Sequence, residues 1–483
     1  MSNTFGNLIN GQWIPSITGN TFDVQNPARK DEIVSTFPAS SAQDVKQAID
    51  AAEAAFPAWS RLTPHRRGTY LARAAQLLAQ RRDQAATTLV REEGKPITEA
   101  RGEVDRSIAL LEFYAGQASL LGGQTFPSAM DGRFLYTVRA PLGIVALITP
   151  WNFPSAIPVW KLAPALLCGN TVVLKPASLA PTSAAIVAQC LVEAGLPAGV
   201  LNLVTGGGRD VGDPLINDPR IRAISFTGSY EIGRSIIRRT ADRLIRVGLE
   251  MGGKNPHIVM DDADLDRAVN DIVIGAFWSS GHKCTACSRA IVLESVCDAF
   301  VARLLKRVAD IRVGDPLLPE TQVGPVIDEK QLASILQYIQ IGQSEGARLA
   351  AGGKRLAGGI YDAGHFISPA VFTDVTPTMR IAREEIFGPV LAVMKARNLD
   401  EAVGIANDVD FGLSAGIATR SIATAMDFVR RIDAGVIHVN NPTAGLEYQL
   451  PFGGCKASSS GYREMGTTAL DFYSLVKTVY VDG

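Results

Sequence analysis

The chain has 483 residues, 47% of them hydrophobic and 20% charged, which is enough to bury a core without disulfide or metal staples and too apolar for global disorder. Lys+Arg 47 against Asp+Glu 48 leaves a net charge of −1, so the footprint of a nucleic-acid or anionic-membrane binder is excluded. At roughly 150 residues per domain the length suits about three domains, or one or two large ones.

In chain order, the opening MSNTFGNLING lacks the basic start and apolar core of a secretory leader and is too poor in Arg for a transit peptide, so a cytoplasmic protein is expected. Between Ser41 and Leu120 apolar residues recur at three and four, and helices are predicted. The uncharged run from Ala140 to Trp160 is long enough to span a bilayer. Its Pro141, Pro150, Pro154 and Pro158 predict instead a buried strand leading into a loop and helix.

From Gly143 the pattern changes. GIVALI, TVVLKP, GVLNLVTG and AISFTG are short apolar runs bounded by Gly or Pro, separated by helical stretches at Pro154 to Cys168, Pro181 to Ala194 and Tyr230 to Thr240. Buried strands alternating with helices predict a parallel sheet covered on both faces. Beyond Glu250 the alternation resumes with helix Leu265 to Trp278, strand AIVLE, and helices Val296 to Ile311 and Lys330 to Ser344. The expected fold is therefore α/β, with two doubly wound parallel-sheet domains joined near Glu250 to Gly253. The segments GRFLYTVR (132–139) and FYSLVKTVYV (472–481) alternate like strands and can pair with each other. The last one presents a free edge, to be covered by a second subunit or left as an intrachain edge.

Six cysteines over this length form no disulfide framework. Cys284 and Cys287 make a CxxC, but no second Cys or His pair stands at zinc-finger spacing, so no metal is expected. Cys168, Cys190 and Cys297 sit among apolar helical neighbours and read as buried hydrophobes. Four segments carry chemistry. In Gly281-His282-Lys283-Cys284-Thr285-Ala286-Cys287, a thiol flanked by small residues suits either an exposed nucleophile or a small buried side chain; as nucleophile it needs help to reach the thiolate. Glu250 ends a strand before Gly252-Gly253, where ligands of open α/β sheets collect, and is either a general base or a solvated acid. Asn152, held between prolines in Thr149-Pro150-Trp151-Asn152-Phe153-Pro154, either donates to an oxyanion or caps the next helix. Gly228-Ser229 opens a helix after a strand, and Gly206-Gly207-Gly208 loosely imitates a phosphate turn; neither is a GxGxxG.

Together these elements resemble the aldehyde dehydrogenase superfamily over essentially the whole chain. The matching motifs are PWNFP at 150–154, LKPAS at 174–178, FTGSYEIG at 226–233, LEMGGKNP at 249–256, GHKCTACSR at 281–289, EEIFGPV at 384–390 and PFGG at 451–454. Glu250 and Cys284 are 34 positions apart and Asn152 and Lys175 are 23 apart, in keeping with that family. The resemblance implies that Cys284 attacks the aldehyde, that Asn152 and the Cys284 N–H hold the oxyanion, and that Glu250 activates the water that hydrolyses the thioester. Lys161 would be a structural or proton-relay lysine. NAD or NADP would be the cofactor, with Trp151 and Lys175 toward the adenosine, Gly208 and Ser229 along the dinucleotide, Glu385 and Phe387 at the nicotinamide end, and Thr149 and Ser178 completing the site. Residues 1–122 and 141–250 would form the dinucleotide-binding domain, 251–440 the catalytic domain, and 123–140 with 466–483 the oligomerisation strands of a homodimer or homotetramer.

Departures from the family pattern set further expectations. Ser178 stands where NAD-preferring members often carry Glu, so NADP should be accepted. His282 replaces the usual Gln, a mild change. The succinic-semialdehyde group tends to carry Arg where this chain has Trp160, while the run from Asn440 to Gly466 is similar to the group that oxidises α-ketoglutaric semialdehyde (2,5-dioxopentanoate). Against that substrate, no Arg is visible in the pocket motifs, and Phe153, Trp160, Trp278 and Phe452 suit an aromatic or aliphatic aldehyde. A CoA-acylating relative tends to lack the Glu250 carboxylate, and a non-catalytic member of the family would not be expected to keep Cys284, Glu250 and Asn152 together.

Overall fold

The structure, a computed structural model, describes residues 3–482. The apolar runs after Gly143 form strands Ile144–Ile148, Thr171–Lys175, Leu201–Leu203 and Ile221–Thr227, joined by Arg246–Glu250. All five lie parallel, with Ile144–Ile148 and Thr171–Lys175 at the centre. Both central strands are buried along their whole length, as a sheet covered on two faces demands. Helices Ala156–Leu167, Thr182–Glu193 and Tyr230–Thr240 follow three of these strands. The helical stretch before them resolves into Ala42–Ser60, Pro64–Gln80, Arg82–Glu93 and Ile97–Gly116. Its breaks are chemical: Thr63 caps a helix that has Pro64 in its first turn, and Gly94, at φ 92, ends the third helix in the left-handed conformation.

A second sheet is built from Asn255–Val259, Cys287–Leu293, Ala370–Thr373, Val390–Ala396, Ser414–Ala418 and Val436–Val439, again parallel. Helices Leu265–Phe277, Glu294–Ala309 and Glu329–Ser344 form where the periodicity predicts them. Glu294, predicted as the end of a strand, opens a helix instead.

Neither sheet is purely parallel, and this corrects the expectation. Asn7–Ile9 and Gln12–Ile14 add an antiparallel hairpin to one edge of the first sheet, and Arg348–Ala351 adds an antiparallel edge to the second. The hairpin turns at Asn10-Gly11, with φ 50 and 76, the backbone that a tight two-residue turn requires. A small sheet of Asn3–Thr4, Thr21–Asn26 and Arg29–Pro38, unanticipated by the pattern reading, lies beside it.

The two alternating segments do pair: Arg133–Pro141 runs antiparallel to Ser474–Asp482, with Thr125–Phe126 on its other side. The last strand starts two residues later than predicted because Ala469–Phe472 is a short helix. Phe134, Val476 and Tyr480 on this sheet are exposed. The run 140–160 holds the end of one strand, the whole of strand Ile144–Ile148, a loop and the start of a helix, and no helix among the described residues is long and apolar enough to cross a membrane.

Candidate active site

The strands Ile144–Ile148, Ile221–Thr227 and Arg246–Glu250 deliver Thr149–Asn152, Gly228–Ser229 and Glu250–Gly252 to one end of the first sheet, the end where open α/β sheets bind ligands. The second sheet supplies Cys284 from the turn that enters strand Cys287–Leu293. That turn is left-handed through Ser279, Ser280 and Gly281, with φ 53, 53 and 71. Gly281 is obligatory, because a Cβ there would sit 2.3 Å from the Gly388 carbonyl oxygen. Glu99 holds the turn by accepting from the Ser279 N–H at 2.6 Å and its hydroxyl at 2.9 Å, and Asn255 Nδ2 donates to the Cys284 carbonyl at 2.8 Å. The thiol is thereby fixed on a rigid corner.

Two cavities meet at Cys284. One, of about 240 Å³, is lined by Trp151, Asn152, Ser229, Gly252, Glu385 and Phe387 among others. The other, of about 310 Å³, is lined by Phe153, Trp160 and Trp278 together with Glu99, Glu103, Arg106 and Lys283. Burial, with the charges of Glu385 and Glu250 behind it, pushes the Cys284 thiol up to about 12, so it rests protonated and needs a base to react.

Asn152 is buried, and its Nδ2 donates to the His282 carbonyl at 2.9 Å, leaving one amide N–H uncommitted. Its own carbonyl accepts from Lys95 Nζ at 2.6 Å. Lys95 is fully buried, 2.6 Å from Glu103 and 4.0 Å from the Phe153 ring centre, while the other Glu103 oxygen accepts from the Ser155 and Ala156 N–H groups at 2.9 and 3.1 Å. A buried ion pair thus pins the loop on which Asn152 stands. Sequence reading missed it because Lys95 and Glu103 lie some fifty residues from that loop.

Glu250 is buried with its Oε2 accepting from the Ser459 hydroxyl at 2.6 Å. Burial and the neighbouring Glu464 hold its carboxyl well above the usual carboxylate range, against the Ser459 hydroxyl, Lys161 and Arg463. Lys161, entirely buried, is ion-paired to Glu464 and donates to Ser225 Oγ at 2.8 Å, and Ser225 donates to Glu464 at 3.0 Å. Glu250, Glu464 and Ser225 line one small internal cavity. His282 is buried and neutral, its ring held at about 3 by burial and stacked 5.8 Å from Phe387.

The lining of the smaller cavity suits one end of a nicotinamide dinucleotide. The buried Thr227 hydroxyl on its wall has no partner, and the N-terminus of helix Tyr230–Thr240 opens at Ser229. A Cβ on Gly252 would sit 2.0 Å from a Glu385 oxygen, so only glycine lets that carboxylate reach across the cavity floor. Burial raises Glu385 to about 7 against the Gly253 N–H, which donates at 3.1 Å. Lys175, Ser178 and Gly208 gather at a separate point. Ser178 Oγ donates to the Gly206 carbonyl at 3.0 Å, and Gly212, in the same turn as Gly208, faces the Lys175 chain, which a Cβ there would meet at 3.8 Å. Burial brings the Lys175 ammonium down to about 8. The Thr149 hydroxyl is buried and unpartnered beside this loop.

Three expectations change. Trp151, expected toward the adenosine, packs edge-on against Phe387 at 5.3 Å and lines the cavity that contains Cys284. Phe452 is buried behind Trp160 at 5.7 Å between ring centres, and it supports the pocket wall without lining it. The pocket does contain an arginine: Arg106, on the face of helix Ile97–Gly116 that also presents Glu99 and Glu103. Their i, i+4, i+7 spacing is the one signal that could have revealed this wall in the sequence. Cys287 turns into the sheet, its Sγ 3.7 Å from the Arg289 carbonyl.

Residues 13–479 match the profile of the aldehyde dehydrogenase family. The alpha-ketoglutaric semialdehyde dehydrogenase of Bacillus subtilis is 47% identical over 479 residues, 99% of this chain and 98% of that protein. The 2,5-dioxopentanoate dehydrogenase of Saccharolobus solfataricus is 46% identical over 472 residues, 97% of this chain and 98% of that one. Among solved structures, the betaine aldehyde dehydrogenase of Staphylococcus aureus in complex with NAD+ superposes with a TM-score of 0.96 at 33% identity, over 99% of this chain and 94% of that one.

Proposed function

This chain belongs to the aldehyde dehydrogenase family and oxidises an aldehyde to a carboxylic acid with NAD(P)+, and from that premise we propose that its substrate is α-ketoglutaric semialdehyde and that Cys284, Asn152 and Glu250 carry the reaction. The observation that carries this reading is the position of Cys284, the one side chain common to both cavities. The aldehyde enters past Phe153, Trp160 and Trp278, and Cys284 Sγ adds to its carbonyl carbon as the thiol proton leaves for Glu250. The Asn152 N–H and the Cys284 backbone N–H take the oxyanion. NAD(P)+, held by the residues of the smaller cavity, would supply the hydride acceptor whose reduction leaves the Cys284 adduct as a thioester. Glu250, a strengthened base in its buried site, then takes a proton from the water that hydrolyses the thioester. Glu464 with Lys161 and Ser225 offers that proton a way out along the internal cavity.

Comparing kcat/KM for 2,5-dioxopentanoate, benzaldehyde and short aliphatic aldehydes tests the substrate; 2,5-dioxopentanoate is expected to lead, and a lead for benzaldehyde overturns the assignment. Asn152→Ala is expected to lower kcat/KM by about 10²–10³-fold, the usual cost of one oxyanion donor, and a loss below tenfold removes Asn152 from the mechanism.

Lys175, Ser178 and Gly208 are proposed to hold the adenosine ribose, with Thr149, Ser229, Glu385, Phe387 and Trp151 along the rest of the dinucleotide. Ser178 presents no carboxylate to repel a 2′-phosphate. Saturation kinetics are therefore expected to show NADP+ used within a hundredfold of NAD+, and a larger preference for NAD+ counts against the reading. The division into a dinucleotide-binding unit (1–122, 141–250), a catalytic unit (251–440) and oligomerisation strands (123–140, 466–483) is supported by the way the strands group into separate sheets. The exposed Phe134, Val476 and Tyr480, on a sheet whose terminal strand has one unpaired edge, support a homo-oligomer assembled through that surface.

A further inference from the structure

Of the four charged side chains lining the larger cavity, three are already matched. Glu99 is 2.8 Å from Lys283, and Glu103 is 2.6 Å from the buried Lys95. Arg106 is the remainder. It is half-buried, and one guanidinium N–H donates to the Leu446 carbonyl across the cavity mouth. Among the described residues it forms no ion pair, and Glu103 and Glu447 act on it only from a distance. With Lys283 beside Glu99 and Lys95 behind Glu103, both acids of the wall are paired, and the Arg106 charge is left without a paired acid, partly withdrawn from water, on a planar donor fork with N–H groups to spare. The rest of the wall (Phe153, Ile157, Trp160, Trp278) is apolar, so the field of that charge is little screened by protein dipoles. Such an arrangement is able to receive an acceptor with two oxygens.

We propose that Arg106 is a substrate-binding residue that receives the carboxylate of an aldehyde acid whose aldehyde end lies at Cys284. This inference rests on the reading of the larger cavity as the aldehyde site and gives the α-keto acid substrate the cationic partner that its pocket motifs lack. It extends to any aldehyde of similar length with a terminal carboxylate and does not depend on the keto group.

The test compares 5-oxopentanoate with pentanal, equal in chain length and differing in the carboxylate, and adds 2,5-dioxopentanoate. Wild type is expected to favour 5-oxopentanoate over pentanal by at least roughly tenfold in kcat/KM. Arg106→Gln is expected to cut that ratio by about 10–100-fold, mainly through KM, the range for one charge-assisted pair. Arg106→Lys should restore part of it, keeping the charge and losing the fork. A ratio unchanged in R106Q overturns the proposal, as does a wild type indifferent to the carboxylate. Should R106Q not fold, wild type alone decides. Glutarate should inhibit pentanal oxidation at least tenfold more tightly than glutaramide, and equal inhibition overturns the proposal. A wild type that prefers 5-oxopentanoate but rejects 2,5-dioxopentanoate refutes the proposed substrate while leaving Arg106 its role. A wild type that prefers 2,5-dioxopentanoate with an unchanged ratio in R106Q does the reverse.

Discussion

Cys284→Ser is expected to lower kcat by roughly 10⁴-fold or more, the scale on which loss of a covalent nucleophile is felt in other enzymes. The turn at Ser279–Gly281 fixes the thiol where the two cavities meet, so no other side chain can take over its attack. Cys287 cannot substitute, since its Sγ is buried in the second sheet. A serine would keep the shape and the backbone N–H but offers an oxygen nucleophile far harder to deprotonate than a thiol. The measurement is NAD(P)H formation at saturating aldehyde, combined with iodoacetamide labelling of the wild type. Labelling should accelerate steadily with pH and show no plateau below about pH 10, because the thiol is pushed up to about 12. Activity retained in C284S, or an early plateau, would show that the nucleophile or its environment has been misassigned.

Glu250→Gln is expected to lower steady-state kcat by about 10²–10⁴-fold and to slow the first turnover less, because hydroxide from solvent can also take the Cys284 proton while the hydrolytic water depends on Glu250. Glutamine keeps the shape and can still accept from the Ser459 hydroxyl, so the loop from Gly252 to Asn255 should stay in place. What is lost is the base. Rapid mixing should then show a burst of about one NAD(P)H per active site, followed by near silence, with an acyl adduct on Cys284 detectable by mass. Wild-type kcat should fall as pH drops through the raised value of the Glu250 carboxyl, and E250Q should lose that limb. A burst lost in parallel with kcat would assign Glu250 to thiol activation alone, and an unaltered steady state would remove it from the reaction.

The fold was legible because the central strands are buried on both faces. Ile144–Ile148 and Thr171–Lys175 need apolar residues at every position, so the strand itself is written as a continuous run, and Gly or Pro marks its ends. The residues proposed to react were legible because Asn152 and Cys284 sit in short turns beside strands and Glu250 ends one, all inside local motifs. The antiparallel edges were overlooked. The N-terminal hairpin has strands of only three residues, too short for an alternation to register, although its Asn10-Gly11 turn was a readable cue.

Local chain chemistry thus determined the alternation of strands and helices in the two main sheets, and the motifs, through their resemblance to a family, singled out the thiol, the amide and the carboxylate proposed to do the chemistry and the dependence on a dinucleotide. Only the tertiary structure decided what surrounds them. Helix Ile97–Gly116 crosses the mouth of the pocket and turns Arg106 toward Cys284, nearly two hundred residues further along the chain; Lys95 reaches under the Asn152 loop; Phe452 withdraws behind Trp160. Backbone preferences and apolar periodicity act over a few residues and can be read in order. The charge and shape that select a substrate arise from side chains that meet only when distant elements pack together.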